Sequence, residues 1–184
     1  MRVFVSIDLS ESFTGPIADL QKDFQGATGL DFVDPEQAHV TMKFLGDIDP
    51  GRVDDIADAL DRAVAEADVD PFEATFEGLG VFPSIEYINV LWLGVGKGTD
   101  SLVDLQAPIE DQLVGLGFDA EDHEFTPHVT LARMKHAGGK ELVQERVRTT
   151  DPTVGTMTVD EVRLKESTLT DDGPEYETVH GVSL

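Results

Sequence analysis

The chain has 184 residues, 40% of them hydrophobic, and carries 37 acidic against 13 basic side chains, a net charge of −24. It has no cysteine, which excludes a disulfide framework, a thiolate metal site and a thiol nucleophile. No apolar run approaches the ~18 residues of a membrane span, and so acidic a surface repels bulk nucleic acid, so a nucleic-acid partner has to be gripped at a small local site.

The acids are spread along the chain and do not form a tail. An evenly acidic folded surface suits a very salty cytoplasm, where self-repulsion is screened within roughly 3 Å at 1 M salt. A halophilic source is therefore expected. The N-terminal stretch Met1 to Asp8 is too short and too soon acidic for a secretory signal, and a cytoplasmic location is expected.

Arg2 to Leu9 alternates Val3, Val5, Ile7 and Leu9 on one face, with Phe4 on the other, and reads as a strand. Thr14 to Phe24 carries Ile17, Leu20 and Phe24 at helical spacing, and Asp34-Pro35 marks a turn. His39 to Leu45 reads as a strand with Val40, Met42 and Phe44 on one face and His39, Thr41 and Lys43 on the other. After a turn at Gly46 to Gly51, a helix places Val53, Ile56, Ala57, Leu60 and Val64 on one stripe and four aspartates outward. Phe72 to Phe82 and Tyr87 to Val95 look like strands around a Pro83-Ser84 turn.

Leu102, Leu105, Ile109, Leu113 and Leu116 form a helical stripe. Pro108 inside it is expected to kink or restart the helix, because an interior proline costs ~3 kcal/mol. Phe125 to Arg133 reads as a strand, Lys140 to Val147 as a short helix, and Thr156 to Leu164 and Tyr176 to Val179 as strands. Strand–helix units in both halves predict an α+β fold with an internal duplication. No linker or low-complexity stretch divides it, so residues 1–184 are expected to form a single domain.

The duplication is marked by a repeated triplet, His39-Val40-Thr41 and His128-Val129-Thr130, one copy in each half. In a strand, residues i and i+2 share a face. His39 and Thr41 therefore project together while Val40 and Met42 anchor the strand from behind; His128 and Thr130 do so against Val129 and Leu131. Two such strands, side by side or facing, present two imidazoles and two hydroxyls to one small volume. That set meets the needs of a phosphodiester reaction without metal. One imidazolium protonates the departing oxygen, one neutral imidazole takes a proton from water, and the hydroxyls donate to the non-bridging oxygens. The residues alone leave open which histidine is the acid and which the base.

Both triplets resemble the paired H-x-T-x motifs of the two-histidine (2H) phosphoesterase superfamily, and within it the RNA 2′,3′-cyclic phosphodiesterase, or 2′-5′ RNA ligase-like, family. The resemblance runs from end to end. It takes in the opening strand Met1 to Ile7, His39 to Gly46 with its trailing Phe44-Leu45-Gly46, and Val81-Phe82-Pro83-Ser84. It continues through Val90 to Val95, Thr126 to Arg133, and Glu166 to Leu169 with Gly173 to Tyr176. The resemblance implies a bilobal, pseudo-twofold fold with antiparallel sheets lining a central groove. It also implies hydrolysis of RNA ends or nucleotides bearing a 2′,3′-cyclic phosphate to a 2′-phosphomonoester. His39 would then be the proton donor to the 3′ oxygen, His128 the acceptor from water, and Thr41 and Thr130 the phosphate holders. No metal, cofactor or obligate protein partner is implied. Two other readings stay open: 2′-5′ ligation, which microscopic reversibility permits, and a nucleotide- or RNA-binding module that does no chemistry.

Arg133 matches an arginine the family uses near the phosphate, and a guanidinium can grip phosphate through two parallel bonds. Strict alternation puts Arg133 on the face opposite His128, so a substrate-binding role requires the strand to end or bulge first. His123, His136 and His180 read as ordinary loop or strand residues. His123-Glu124 lacks the H-E-x-x-H spacing, and Gly94 to Thr99 lacks that of a phosphate loop. Phe4, Phe44, Phe82, Phe125 and Trp92 include candidates for base stacking, although strand aromatics are mostly core.

Overall fold

The computed structural model describes residues 1–184. Its strands are β1 (Arg2–Asp8), β2 (Leu30–Phe32), β3 (His39–Asp47), β4 (Phe72–Pro83), β5 (Ile88–Val95), β6 (His128–Met134), β7 (Thr153–Val159), β8 (Glu161–Thr170) and β9 (Gly173–Ser183). Its helices are α1 (Thr14–Lys22), α2 (Val53–Ala67), α3 (Thr99–Gly115) and α4 (Lys140–Thr149). The fold is α+β. One antiparallel sheet runs in the order β7-β4-β5-β6-β3-β1-β8-β9, with the short β2 added on β6.

The sheet is symmetric about its middle. Two four-strand halves meet between β6 and β3, where Val40 pairs with Val129. In one half Asp8, Ile7 and Ser6 face His39, Val40 and Thr41; in the other Gly94, Leu93 and Trp92 face His128, Val129 and Thr130. Both registers then slip at the same place. The pairing skips Met42 on β3 and Leu131 on β6, so each strand carries a β-bulge one residue beyond its threonine.

These bulges correct the face assignments made from strict alternation. Lys43 points inward beside Met42 and is 2% exposed, whereas Phe44 turns out and is 47% exposed. On β6 the equivalent residues are buried Ala132 and exposed Arg133. A buried glutamine reaches the carbonyl of each bulge residue. Gln106 of α3 donates to the Met42 carbonyl at 3.4 Å, and Gln21 of α1 donates to the Leu131 carbonyl at 3.1 Å, which also accepts from the Val33 amide at 3.1 Å. Both glutamines are 8% exposed, where an unpaired carbonyl would be costly.

The helices line the opposite side of the sheet. α3 packs against β3 and α2, and α2 reaches β9, covering one half; α1 lies against β7 and α4 against β4, covering the other. Ile56, Leu60, Leu102, Leu105, Ile109 and Leu113 are completely buried between them, each contributing about 1.5–3 kcal/mol relative to exposure. α3 runs through Pro108 without a restart. The bond a proline forfeits here belongs to the carbonyl of Asp104, an exposed residue whose carbonyl water can serve.

A second correction concerns residues 156–164, expected as one strand. The chain changes partners at Asp160: β7 pairs with β4 in one half, and β8 pairs with β1 and β9 in the other. Val159, Val162 and Leu164 are all buried, and the odd step from Val159 to Val162 shows that the alternation changes phase at Asp160, where the strand breaks. No helix is long and apolar enough to cross a membrane.

Candidate active site

His39, Thr41, His128 and Thr130 converge at the seam between the halves. The Val40–Val129 register sets His39 opposite Thr130 and Thr41 opposite His128. The two imidazoles are thus diagonal cross-strand neighbours, with Cβ atoms roughly 7 Å apart in standard antiparallel geometry. Each ring is anchored in the same way. His39 Nδ1–H donates to the Gln37 carbonyl at 2.9 Å, and His128 Nδ1–H donates to the Thr126 carbonyl at 2.7 Å. A backbone acceptor at Nδ1 fixes the tautomer and leaves Nε2 as the reactive nitrogen of each ring. Thr41 Oγ1 lies 3.1 Å from His39 Nε2.

Aromatic side chains wall in both rings. Phe4 and Tyr176 lie 5.0 and 5.4 Å from His39, and Phe82 and Trp92 lie 4.9 and 5.9 Å from His128, between ring centroids. Gly80 exists for this wall: a Cβ there would meet the Trp92 indole at 2.1 Å. Burial lowers the pKa of both histidines, against the opposing effect of their backbone bonds. Beyond burial, the nearby charges differ. Asp8 favours the protonated form of His39 while Lys165 and His128 oppose it; Arg133 disfavours the protonated form of His128.

Asp8 is itself held in a network. Lys165 and Arg163 bind its Oδ2 at 2.7 and 3.0 Å, and Ser6 donates to its Oδ1 at 2.9 Å. Burial pushes the Asp8 carboxyl up, but these partners together hold it below its ordinary value.

Two adjoining clefts of about 630 and 580 Å³ open on the seam, and both are lined by His39, Thr41, Arg133 and Tyr176. Thr130 lines the larger. His128 lines neither and stands at the aromatic wall beyond them. The Leu131 bulge brings Arg133 to the groove, as a substrate-binding role required.

A sequence profile of the 2′-5′ RNA ligase superfamily matches residues 10–170. The chain belongs to that superfamily. It is 34% identical over 178 residues to the RNA 2′,3′-cyclic phosphodiesterase of Methanothermobacter thermautotrophicus, covering 96% of this chain and 95% of that one. With the RNA 2′,3′-cyclic phosphodiesterase of Methanocaldococcus jannaschii it is 33% identical, covering 97% and 98%. A crystal structure from Thermus thermophilus superposes with a TM-score of 0.83 at 25% identity, covering 100% and 98%. Escherichia coli LigT in complex with 3′-AMP superposes at 0.80 and 21% identity, covering 100% and 97%, a likeness of fold.

The other histidines of this superfamily member stay apart from the groove. His180 bonds Asp61 at 2.7 Å, His136 accepts from the Gly138 amide at 3.1 Å, and His123 is exposed beside Asp122. Tyr176, Asp8 and Lys165 were missed by sequence reasoning. Ser6 and Asp8 did leave a trace, since they are polar residues on the Phe4 side of an otherwise apolar strand. Tyr176 was read only as part of a closing strand, because its place beside His39 depends on the β8–β9 hairpin lying against β1.

Proposed function

We propose that the protein hydrolyses the 2′,3′-cyclic phosphodiester of an RNA or nucleotide end to a 2′-phosphomonoester. The observation that carries this reading is the matched pair of Nδ1 anchors at the seam, which leaves the Nε2 of each ring for chemistry. Relatives named RNA 2′,3′-cyclic phosphodiesterase, alike over nearly their whole length, support it. In the reaction, His128 Nε2 takes a proton from water as its oxygen attacks phosphorus. His39 Nε2–H gives its proton to the 3′ oxygen as the P–O3′ bond breaks. The products are a 3′-hydroxyl and a 2′-phosphate. Thr41 and Thr130 donate to the non-bridging oxygens, and Arg133 offers two parallel donors to the phosphate. Asp8 beside His39 and Arg133 beside His128 support this order of acid and base. Residues 1–184 act as one bilobal domain in this scheme.

The test is incubation with a nucleoside 2′,3′-cyclic phosphate in high KCl and EDTA. Appearance of the 2′-phosphate is expected, since no step uses a metal; a 3′-phosphate product, or none, contradicts the assignment. The pH profile follows from the lowered histidines. His128 has to be neutral, and its lowered pKa carries activity to more acid pH. His39 has to be protonated, and its lowered pKa pulls the alkaline limb down as well. The kcat/KM bell of the free enzyme is therefore expected to peak below the ordinary imidazole value of about 6.5. The kcat bell should lie higher, because bound phosphate favours both imidazoliums. A kcat/KM maximum well above neutrality contradicts this.

A further inference from the structure

We infer that Arg2, Phe44, Arg133 and Tyr176 form a second subsite, which takes the internucleotide phosphate and the base next to the cyclic-phosphate end of an RNA strand. The inference rests on the proposed reaction and adds a substrate preference to it: a strand over a mononucleotide.

The smaller cleft begins at His39 and Thr41 and runs outward along Phe4, Phe44 and Arg2. Phe4 packs on His39, Phe44 is its cross-strand partner on β3, and the Arg2 guanidinium lies 5.0 Å above the Phe44 ring. The Met42 bulge exposes that ring to the groove; without it, Phe44 would sit in the core. An exposed ring beside a guanidinium is a sequence-tolerant stacking platform for a base.

Phosphate donors lie at the same place. Neither Arg2 nor Arg133 has a carboxylate oxygen within 4.0 Å or a side-chain hydrogen bond to another group, although acids outnumber bases 37 to 13. Lys43, Lys97, Arg163 and Lys165 each hold a carboxylate; Arg146 and Arg148 are also unpaired but lie on α4 away from both clefts. Both free arginines act on one phenol: burial raises the Tyr176 pKa while Arg133 and Arg2 oppose the rise. Two guanidinium forks near one hydroxyl, Arg133 shared with the cyclic phosphate and Arg2 farther out, make an extended anion site.

Charge also picks the direction of the strand. The larger cleft is rimmed by four carboxylates, Asp31, Asp34, Asp172 and Glu175, against Arg133 and Lys135, and the smaller by two, Asp47 and Glu166, against Arg2 and Arg133. A polyanion is repelled less along the Arg2 side. A 2′,3′-cyclic phosphate is a 3′ end, so the strand continues only through the 5′ oxygen of the last nucleoside. Beyond that oxygen come one phosphate and then one base, the pair of groups this cleft offers to hold.

The experiment compares a dinucleotide ending in 2′,3′-cyclic phosphate with the corresponding mononucleoside cyclic phosphate, at one fixed KCl concentration. The dinucleotide-to-mononucleotide ratio of kcat/KM is expected to be about tenfold or more, and to fall toward one in Arg2→Gln and in Phe44→Ser. An uncharged methylphosphonate link should lower the ratio in the parent protein and change little further in Arg2→Gln. A parent ratio near one, or a ratio unmoved in both variants, overturns the subsite. If neither substrate is hydrolysed, the proposed reaction fails instead. Calorimetric binding of a dinucleotide 2′-phosphate against a nucleoside 2′-phosphate then still reads the subsite, and equal affinities overturn it.

Discussion

Alanine at His39 or at His128 is expected to lower kcat/KM on a 2′,3′-cyclic nucleotide by about 10²–10⁴-fold, the range of a lost general acid or base. The double variant should fall little further, because the two rings act on one phosphate in one step. Thr41→Ala and Thr130→Ala remove single donors to developing charge and should each cost about 10²-fold. Both histidines lie on the groove face of the sheet, outside the apolar core. The single variants should therefore melt within a few degrees of the parent, which circular dichroism will check. Turnover undiminished in both histidine variants removes the site assignment.

The largest effect on stability is expected at Lys43. Its ammonium lies 2.7 Å from Glu110 Oε2 and donates to the Asp119 carbonyl at 2.9 Å, with a side chain only 1% exposed. Glu110 Oε2 is buried and makes no well-aligned hydrogen bond of its own, so the ionic contact is its compensation. Lys43→Met leaves that oxygen without a partner, Oε1 alone keeping the Glu121 amide at 2.8 Å, which costs about 3–5 kcal/mol for a buried pair broken on one side. At about 2–4 °C per kcal/mol for a chain of this size, Tm should fall by roughly 6–20 °C. Adding Glu110→Leu should restore most of the loss, since an apolar pair replaces a buried ionic one at little cost. A Tm shift under about 3 °C in Lys43→Met contradicts the pairing. Activity below the transition should persist, because Lys43 lines neither cleft.

Lys43 also shows where the sequence stops being legible. The triplets could be read because period-two alternation and a repeated motif are local signals. The bulges at Met42 and Leu131 are invisible locally, because the groups that bond their carbonyls, Gln106 and Gln21 on helices and the Val33 amide at Leu131, are distant in sequence. Those two bulges decide the faces of Lys43, Phe44 and Arg133, and with them the substrate side of the groove. The partner change at Asp160 did leave a local mark: Val159 and Val162, buried in different halves, are three residues apart, a phase shift that one continuous strand does not have. Tyr176 and the Asp8 network depend on β8 lying beside β1, a contact between the two ends of the chain. Fold class, duplication and the four central residues were thus written in local pattern; the groove's charges and aromatic walls were written in topology.

The central claim is that two imidazoles from the two halves meet one phosphate through their Nε2 atoms. Side-chain ¹⁵N NMR of the histidines during titration with a nucleoside 2′-phosphate tests it most directly. Two histidines, assigned as His39 and His128 by substitution, should shift together at Nε2 and titrate at higher pH in the complex. Their Nδ1 signals should stay those of a protonated, carbonyl-bound nitrogen. A response from only one of them, or from neither while the ligand binds, contradicts the account.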